Sequence, residues 1–300
     1  MFTGMPGDRA RNHGASGPGD RERAARTSLA GSRFADVRWV GSTGSTNADA
    51  MALARDGAAE GVVVVADHQT AGRGRRDRTW VAPPGGSLLL SVLLRPPAGV
   101  AGAVTMATGV SLAEAVEDVA GVSPGLKWPN DLVVAGEGED RKLAGILAEA
   151  DWPASATISA GWRQPAAHER VAVVVGVGLN VCWPTDDAGI REVADRAVAL
   201  NWVAPAGRVE QLDRVDLLVA FLRRLDEHHG RLLTGGPGVV MDDWRGRSAT
   251  LGRRVRVELG AGDVEGTAVD VTPEGHLVVE TLGGQRRTFA VGDVIHLRAG

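Results

Sequence analysis

Residues 171–181 read VAVVVGVGLNV, and this run limits the fold more than any other stretch. It is almost wholly apolar and rich in β-branched residues, so it reads as a buried strand. The two-residue period puts Val177, Leu179 and Val181 on one face and Gly176, Gly178 and Asn180 on the other. Glycines inside a strand weaken it and often mark the close approach of a ligand or another backbone. A chain organised round such a strand forms a sheet with one hydrophobic side and one thinned, polar side.

Other segments extend that sheet. Residues 36–42, 61–66 (GVVVVA) and 87–94 (SLLLSVLL) read as strands. Residues 126–134, LKWPNDLVV, read as a strand broken by Pro129. Residues 141–149, RKLAGILAE, read as the next strand, with Lys142, Ala144, Ile146 and Ala148 on one face, and 156–161 as a short one. Helices are predicted over 47–55, capped by Ser45 or Thr46 and ended by Gly57, and over 103–119 and 211–233 by apolar periodicity. His228 and His229 fall near the C-terminal end of the last. From Gly252, five short alternating segments separated by turn residues predict a small β-barrel. The expected organisation is a disordered tail over 1–33, an α+β domain over 34–248 and the barrel over 249–300.

Composition narrows the function. The formal net charge is −4, so no global basic field points to nucleic acid or a membrane surface. No apolar run reaches the ~18 residues of a membrane span, and the first 33 residues lack a secretory apolar core. The one cysteine, Cys182, excludes an intrachain disulfide framework, fits a reducing, cytoplasmic setting and is expected to be buried. The chain has 31 arginines but only two lysines, Lys127 and Lys142. A compact ammonium differs from a guanidinium in reach and pKa, so these two mark places where arginine does not serve.

Residues 69–80, QTAGRGRRDRTW, fit neither helix nor strand. Glycine lets the backbone approach a ligand, and arginine supplies fixed charge in a fork that matches carboxylate or phosphate. The stretch suggests an anion held by amides and guanidiniums. Segments 45–47, 127–131, 142–149 and 176–180 carry further polar residues beside strands or helix starts. No nucleophile triad, paired cysteines, His-x-x-x-His spacing or phosphate loop of the G-x-x-x-x-G-K-[ST] kind is present. The chemistry is expected to rest on binding and charge stabilisation.

With these strings in hand, STN at 45–47, QTAGRGRRDR at 69–78, KWPNDL at 127–132, KLAGIL at 142–147 and GVGLNV at 176–181, the chain resembles the biotin–protein ligases. The resemblance covers about residues 35–300 and implies the monofunctional type, without a DNA-binding domain. The fold it implies is the α+β, mixed-sheet catalytic domain of the biotin/lipoyl ligase type, related to class II aminoacyl-tRNA synthetase cores, with the small barrel behind it. The implied substrates are ATP and biotin, with Mg²⁺ held mainly by the nucleotide. The implied acceptor is the biotin carboxyl carrier domain of an acyl-CoA carboxylase. Neither DNA nor membrane is an implied partner, and the fold type allows a homodimer.

Carried over residue by residue, the resemblance assigns catalysis to Lys142, Arg75 and Lys127. It assigns the biotin site to Ser45, Thr46, Asn47, Gln69, Arg73, Gly74, Arg75, Lys142, Gly145, Gly176 and Gly178, with the strand glycines as a flat floor. It assigns the nucleotide site to Arg75, Arg78, Trp80, Asn130, Asp131, Lys142, Asn180 and Arg298. Arg76 is left as the solvated arginine. Asp77 departs from the family pattern, which commonly has glycine there. The nearest rival in fold, a lipoate or octanoyl transferase, is disfavoured by the Gly/Arg loop and the KWPND string.

Overall fold

The computed structural model describes residues 17–136, 138–152, 157–158, 161–162, 165–185, 188–259, 262–290 and 292–297. Its elements are α1 (Pro18–Ser28), β1 (Val37–Val40), α2 (Thr46–Arg55), β2 (Val63–Ala66), β3 (Ser87–Leu94), α3 (Ala98–Ala101) and α4 (Val104–Ala120). Then come β4 (Gly125–Lys127), β5 (Asp131–Val134), β6 (Arg141–Asp151), β7 (Thr157–Ile158), β8 (Gly161–Trp162) and β9 (Ala172–Asn180). Helices α5 (Ala188–Val193), α6 (Leu200–Val203), α7 (Arg214–Gly235) and α8 (Gly238–Gly246) follow. The chain closes with β10 (Arg254–Glu258), β11 (Val264–Val271), β12 (Leu277–Thr281), β13 (Arg286–Phe289) and β14 (Asp293–His296).

Seven strands form one mixed sheet in the order β1-β2-β3-β9-β6-β5-β4, with β1 and β2 parallel and the other pairs antiparallel. The glycine-bearing β9 lies at its centre. Every residue of β3 and β9 is buried, including the polar Ser87, Ser91 and Asn180 among their mostly apolar residues. Val173, Val175, Val177 and Leu179 pack into the main core with α4 and α7. The opposite face is covered at one end by α2, where Ala50, Met51 and Ala54 meet Val64, Leu93 and Val174. Beyond α2 that face is open, and Gly176, Gly178 and Gly145 lie there.

The KWPND segment is a hairpin rather than one broken strand. Lys127 and Asp131 are paired across the β4–β5 turn, which contains a cis Trp128–Pro129 peptide. Trp128 is buried; its Nε1 donates to Gly275 O at 2.9 Å, and its backbone N–H donates to Thr250 Oγ1 at 3.0 Å. These bonds fix the turn to the C-terminal sheet. That sheet is antiparallel, in the order β13-β12-β11-β10-β14, with β13 and β14 as its outer strands. Its inward residues, among them Val255, Val257, Leu277 and Phe289, continue the main core.

Four expectations are corrected. Residues 17–33 are not a disordered tail: α1 buries Ala25, and Leu29 and Phe34 follow it into the core. The rest of its hold is polar, which an apolar count misses. Glu22 Oε2 accepts the Trp39 N–H at 2.9 Å, and Arg26 Nε donates to Val37 O at 2.7 Å, so α1 satisfies the free edge of β1. Residues 1–16 lie outside the described residues. Lys142 does not share a face with Ala144 and Ile146. The β5–β6 register shifts between Leu132 and Val133, so Leu143 is an extra residue in β6. This bulge turns Lys142 to the open face with Gly145 and Leu147, while Leu143 joins the core. His228 and His229 are interior residues of α7; His228 Nε2 lies 2.8 Å from Glu114 Oε2. Cys182 is exposed, because β9 has ended before it.

Candidate active site

The open face of the sheet holds a cavity of about 400 Å³. Its walls come from the start of α2, the Gly/Arg loop, the β4–β5 turn, the bulged β6, the middle of β9 and, across the opening, Glu258 and the first residues of β14.

One end is a hydrogen-bonded cluster built round the buried Ser45, Thr46, Asn47 and Ser91. Ser45 occupies the N-cap position of α2 without a side-chain cap bond. Gln69 supplies the cap instead: its Oε1 accepts from the Thr46 backbone N–H at 2.8 Å and from Thr46 Oγ1 at 3.1 Å. Asn47 Nδ2 donates to Glu149 Oε2 at 2.7 Å and to Leu147 O at 3.2 Å. Ser91 Oγ lies 2.6 Å from Asn47 Oδ1 and 2.8 Å from Thr46 Oγ1. Arg73 Nη2 closes the cluster on Glu149 Oε2 at 2.8 Å. Gly176 is required here, since a Cβ on it would collide with the Asn47 carboxamide. Ser91 and Glu149 were missed by sequence reasoning. The small polar residue inside SLLLSVLL and the acid two residues past Leu147 on β6 were the available signals.

The middle holds Lys142 and Trp80. Lys142 Nζ lies 2.7 Å from Asp131 Oδ1 and 5.4 Å from the centroid of the Trp80 ring. The indole rests on the strand glycines: a Cβ at Gly178 would lie 2.5 Å from its Cε2, and one at Gly145 would lie 3.0 Å from its Cζ3. The glycine floor thus carries the Trp80 ring. Lys127 is half-buried in the wall, and burial pulls its ammonium pKa below the usual value. Asn180 does not line the cavity. It is buried behind Lys142, where its Nδ2 donates to Val198 O at 3.0 Å and to Lys142 O at 3.4 Å.

The other end is the arginine loop, a short hairpin. Arg73 bridges Thr79, Trp80 N donates to Gly72 O at 3.0 Å, and Arg78 N donates to Arg75 O at 3.2 Å. The turn residues Arg76 and Asp77 have φ of 52° and 57°, both left-handed, as in a type I′ turn. That explains why glycine suits position 77: the backbone there has positive φ, which aspartate tolerates better than most residues.

The loop arginines reach across to the C-terminal sheet. Arg75 Nη1 donates to Asn130 Oδ1 at 3.3 Å, and both its terminal nitrogens lie 3.3 Å from Gly292 O. Arg76 is not the solvated one: its Nη2 donates to Glu258 O at 2.9 Å. The guanidiniums of Arg75, Arg76 and Arg78 all pair with the Asp293 carboxylate, at 3.6 Å and 3.4 Å for the first two. Burial and the neighbouring cations lower the Arg75 pKa. Asp293 was missed, because nothing local ties it to a loop more than 200 residues away. Arg298 lies outside the described residues. All the other expected site residues except Asn180 line the cavity.

Known proteins resemble the chain in both sequence and fold. Residues 42–157 match the biotin/lipoate A/B protein ligase family, and residues 250–297 match the biotin protein ligase C-terminal domain. The chain is 38% identical over 287 residues to the biotin–[acetyl-CoA-carboxylase] ligase of Mycobacterium tuberculosis, covering 92% of this chain and 96% of that one. It is 29% identical over 250 residues to the ligase of the same name from Paracoccus denitrificans, covering 81% and 94%. Among solved structures it is similar to the biotin protein ligase of Aquifex aeolicus in complex with biotin and ATP. That match has a TM-score of 0.69 and 25% identity, covering 89% of this chain and 100% of that one. With both of its segments matched and a relative aligned along nearly its whole length, the chain belongs to the biotin protein ligase family.

Proposed function

We propose that the chain activates biotin with ATP as biotinyl-5′-AMP and passes the biotinyl group to a lysine of a biotin carboxyl carrier domain. The observation that carries this reading is Lys142, set by a β-bulge between a buried polar pocket and an arginine loop. In the first step a biotin carboxylate oxygen attacks the α-phosphorus, the α–β bridging P–O bond breaks, and pyrophosphate leaves. Negative charge concentrates where carboxylate and phosphate meet. The Lys142 ammonium, held by Asp131, faces that charge, and Arg75 and Arg78 face the phosphates. In the second step the carrier lysine nitrogen attacks the acyl carbon, AMP leaves, and the amine loses a proton.

Roles follow from position. Ser45, Thr46, Asn47 and Gln69 offer donors and acceptors for the ureido ring, with Gly176 and Gly74 leaving room for it. Arg73 braces this end through Glu149. Trp80 covers the floor made by Gly145 and Gly178 and presents an aromatic face to the adenylate. Asn130 positions Arg75, and Asn180 positions the backbone of Lys142. Lys127 lies on the β4–β5 turn, where the acceptor amine would enter. Among the described residues no three His, Cys, Asp or Glu groups converge on a metal. Mg²⁺ brought in with the triphosphate would supply charge neutralisation near Asp131. No helix among the described residues is long and apolar enough to cross a membrane.

The test is incubation with ATP, labelled biotin and a purified carrier domain. Label on the carrier lysine with pyrophosphate release is expected. Bound biotin with no pyrophosphate release would make the chain a binding protein, and activity with lipoate alone would overturn the substrate.

A further inference from the structure

The loop that would hold phosphates already holds an anion. Three guanidiniums, from Arg75, Arg76 and Arg78, meet at the single carboxylate of Asp293, which lines the opening of the cavity from the C-terminal sheet. Carboxylate and phosphate are both acceptor-only groups that fit the guanidinium fork, so they compete for the same donors. The two are not equally matched, since a triphosphate brings more charge and more oxygens than one carboxylate. Arg76 and Arg78 sit at the rim, with side chains 41% and 61% exposed, and Arg75 and Asp293 are half-buried beside them, so the outer partners can exchange without unfolding the site. Like charges crowded together repel, and without Asp293 the three arginines would face one another uncompensated.

We propose that Asp293 is an internal stand-in for the nucleotide phosphates: it latches the arginine loop to the C-terminal sheet while the site is empty, and it yields the guanidiniums when the triphosphate arrives. This deepens the ligase reading and rests on it. Asp293 is a positioning residue, acting on substrate through the arginines. The latch keeps the loop folded without ligand, and its competition sets a limit on how tightly the released pyrophosphate is held.

The test compares the full-length chain with its Asp293→Asn and Asp293→Glu forms. Calorimetry at fixed ionic strength measures pyrophosphate and ATP binding, and hydrogen exchange follows residues 72–80 without ligand. Asp293→Asn is expected to bind pyrophosphate roughly three- to tenfold more tightly and to exchange faster in the loop. Asp293→Glu is expected to stay near the parent in both. Equal or weaker pyrophosphate binding by the Asn form would overturn the competition, and unchanged loop exchange would overturn the latch. Should the parent release no pyrophosphate from ATP and biotin, the ligase reading falls instead. The latch is then decided by exchange alone, faster in the Asn form if it holds and unchanged if it does not.

Discussion

The two ends of the cavity are built on opposite principles. At the end near α2, the buried Thr46, Asn47 and Ser91 bond to one another and to the half-buried Gln69 and Glu149 in a network anchored on strands and a helix start. At the loop end, the partners are charges at the rim, and several are backbone oxygens or a carboxylate of the other sheet. Buried hydrogen bonds are costly to leave unmade, so the first end is rigid and shaped in advance. Rim ion pairs are screened and exchangeable, so the second end can re-partner. A site that must hold a neutral ring system and then admit and release a polyanion gains from that division.

The largest effect separating the two ends from the centre is expected at Lys142. Lys142→Ala should reduce biotinyl-adenylate formation at least ~100-fold, because the lost interaction faces charge that develops in the reaction. Thermal unfolding should stay near that of the parent, since the side chain is one-third exposed; pyrophosphate release at the parent rate would refute its role. Next comes Asn47→Ala, which leaves Glu149 and Ser91 short of partners and should cost about 2 kcal/mol of stability, read by denaturant unfolding, together with a raised KM for biotin. The contrast itself is tested by salt. Raising ionic strength should increase KM for ATP severalfold while KM for biotin changes little. Parallel changes would show that the ends are not distinct. The smallest effect is expected at the turn. Asp77→Gly should leave KM for ATP within about twofold, whereas Asp77→Val, a β-branched residue at positive φ, should raise it more.

What could be read from the sequence depended on how local the cause was. The glycine face of β9 followed from alternation alone, and contiguous strings such as KWPND and QTAGRGRRDR carried their own signal. The side of β6 that Lys142 occupies did not follow, because strict alternation counts Leu143 as a facing residue and the bulge removes it from the count. Asp293 and Glu149 act across the sheet or between sheets, so their neighbours in sequence say nothing of their partners. The helix α1 was hidden for another reason: what fixes it is mostly polar contact with a strand edge, and a search for apolar periodicity finds little there.

That edge has a bearing on how copies of this protein can meet. At one side of the seven-stranded sheet, Glu22 and Arg26 occupy the outward N–H and C=O groups of β1. At the other, Leu126 of β4 is tied on both sides of its peptide to Arg247 and Ala249. Molecules colliding at high concentration therefore find polar groups on both edges of the seven-stranded sheet already taken. Trimming the chain past Glu22 and Arg26 would remove one of these guards, and the expected cost is stickiness before any loss of catalysis.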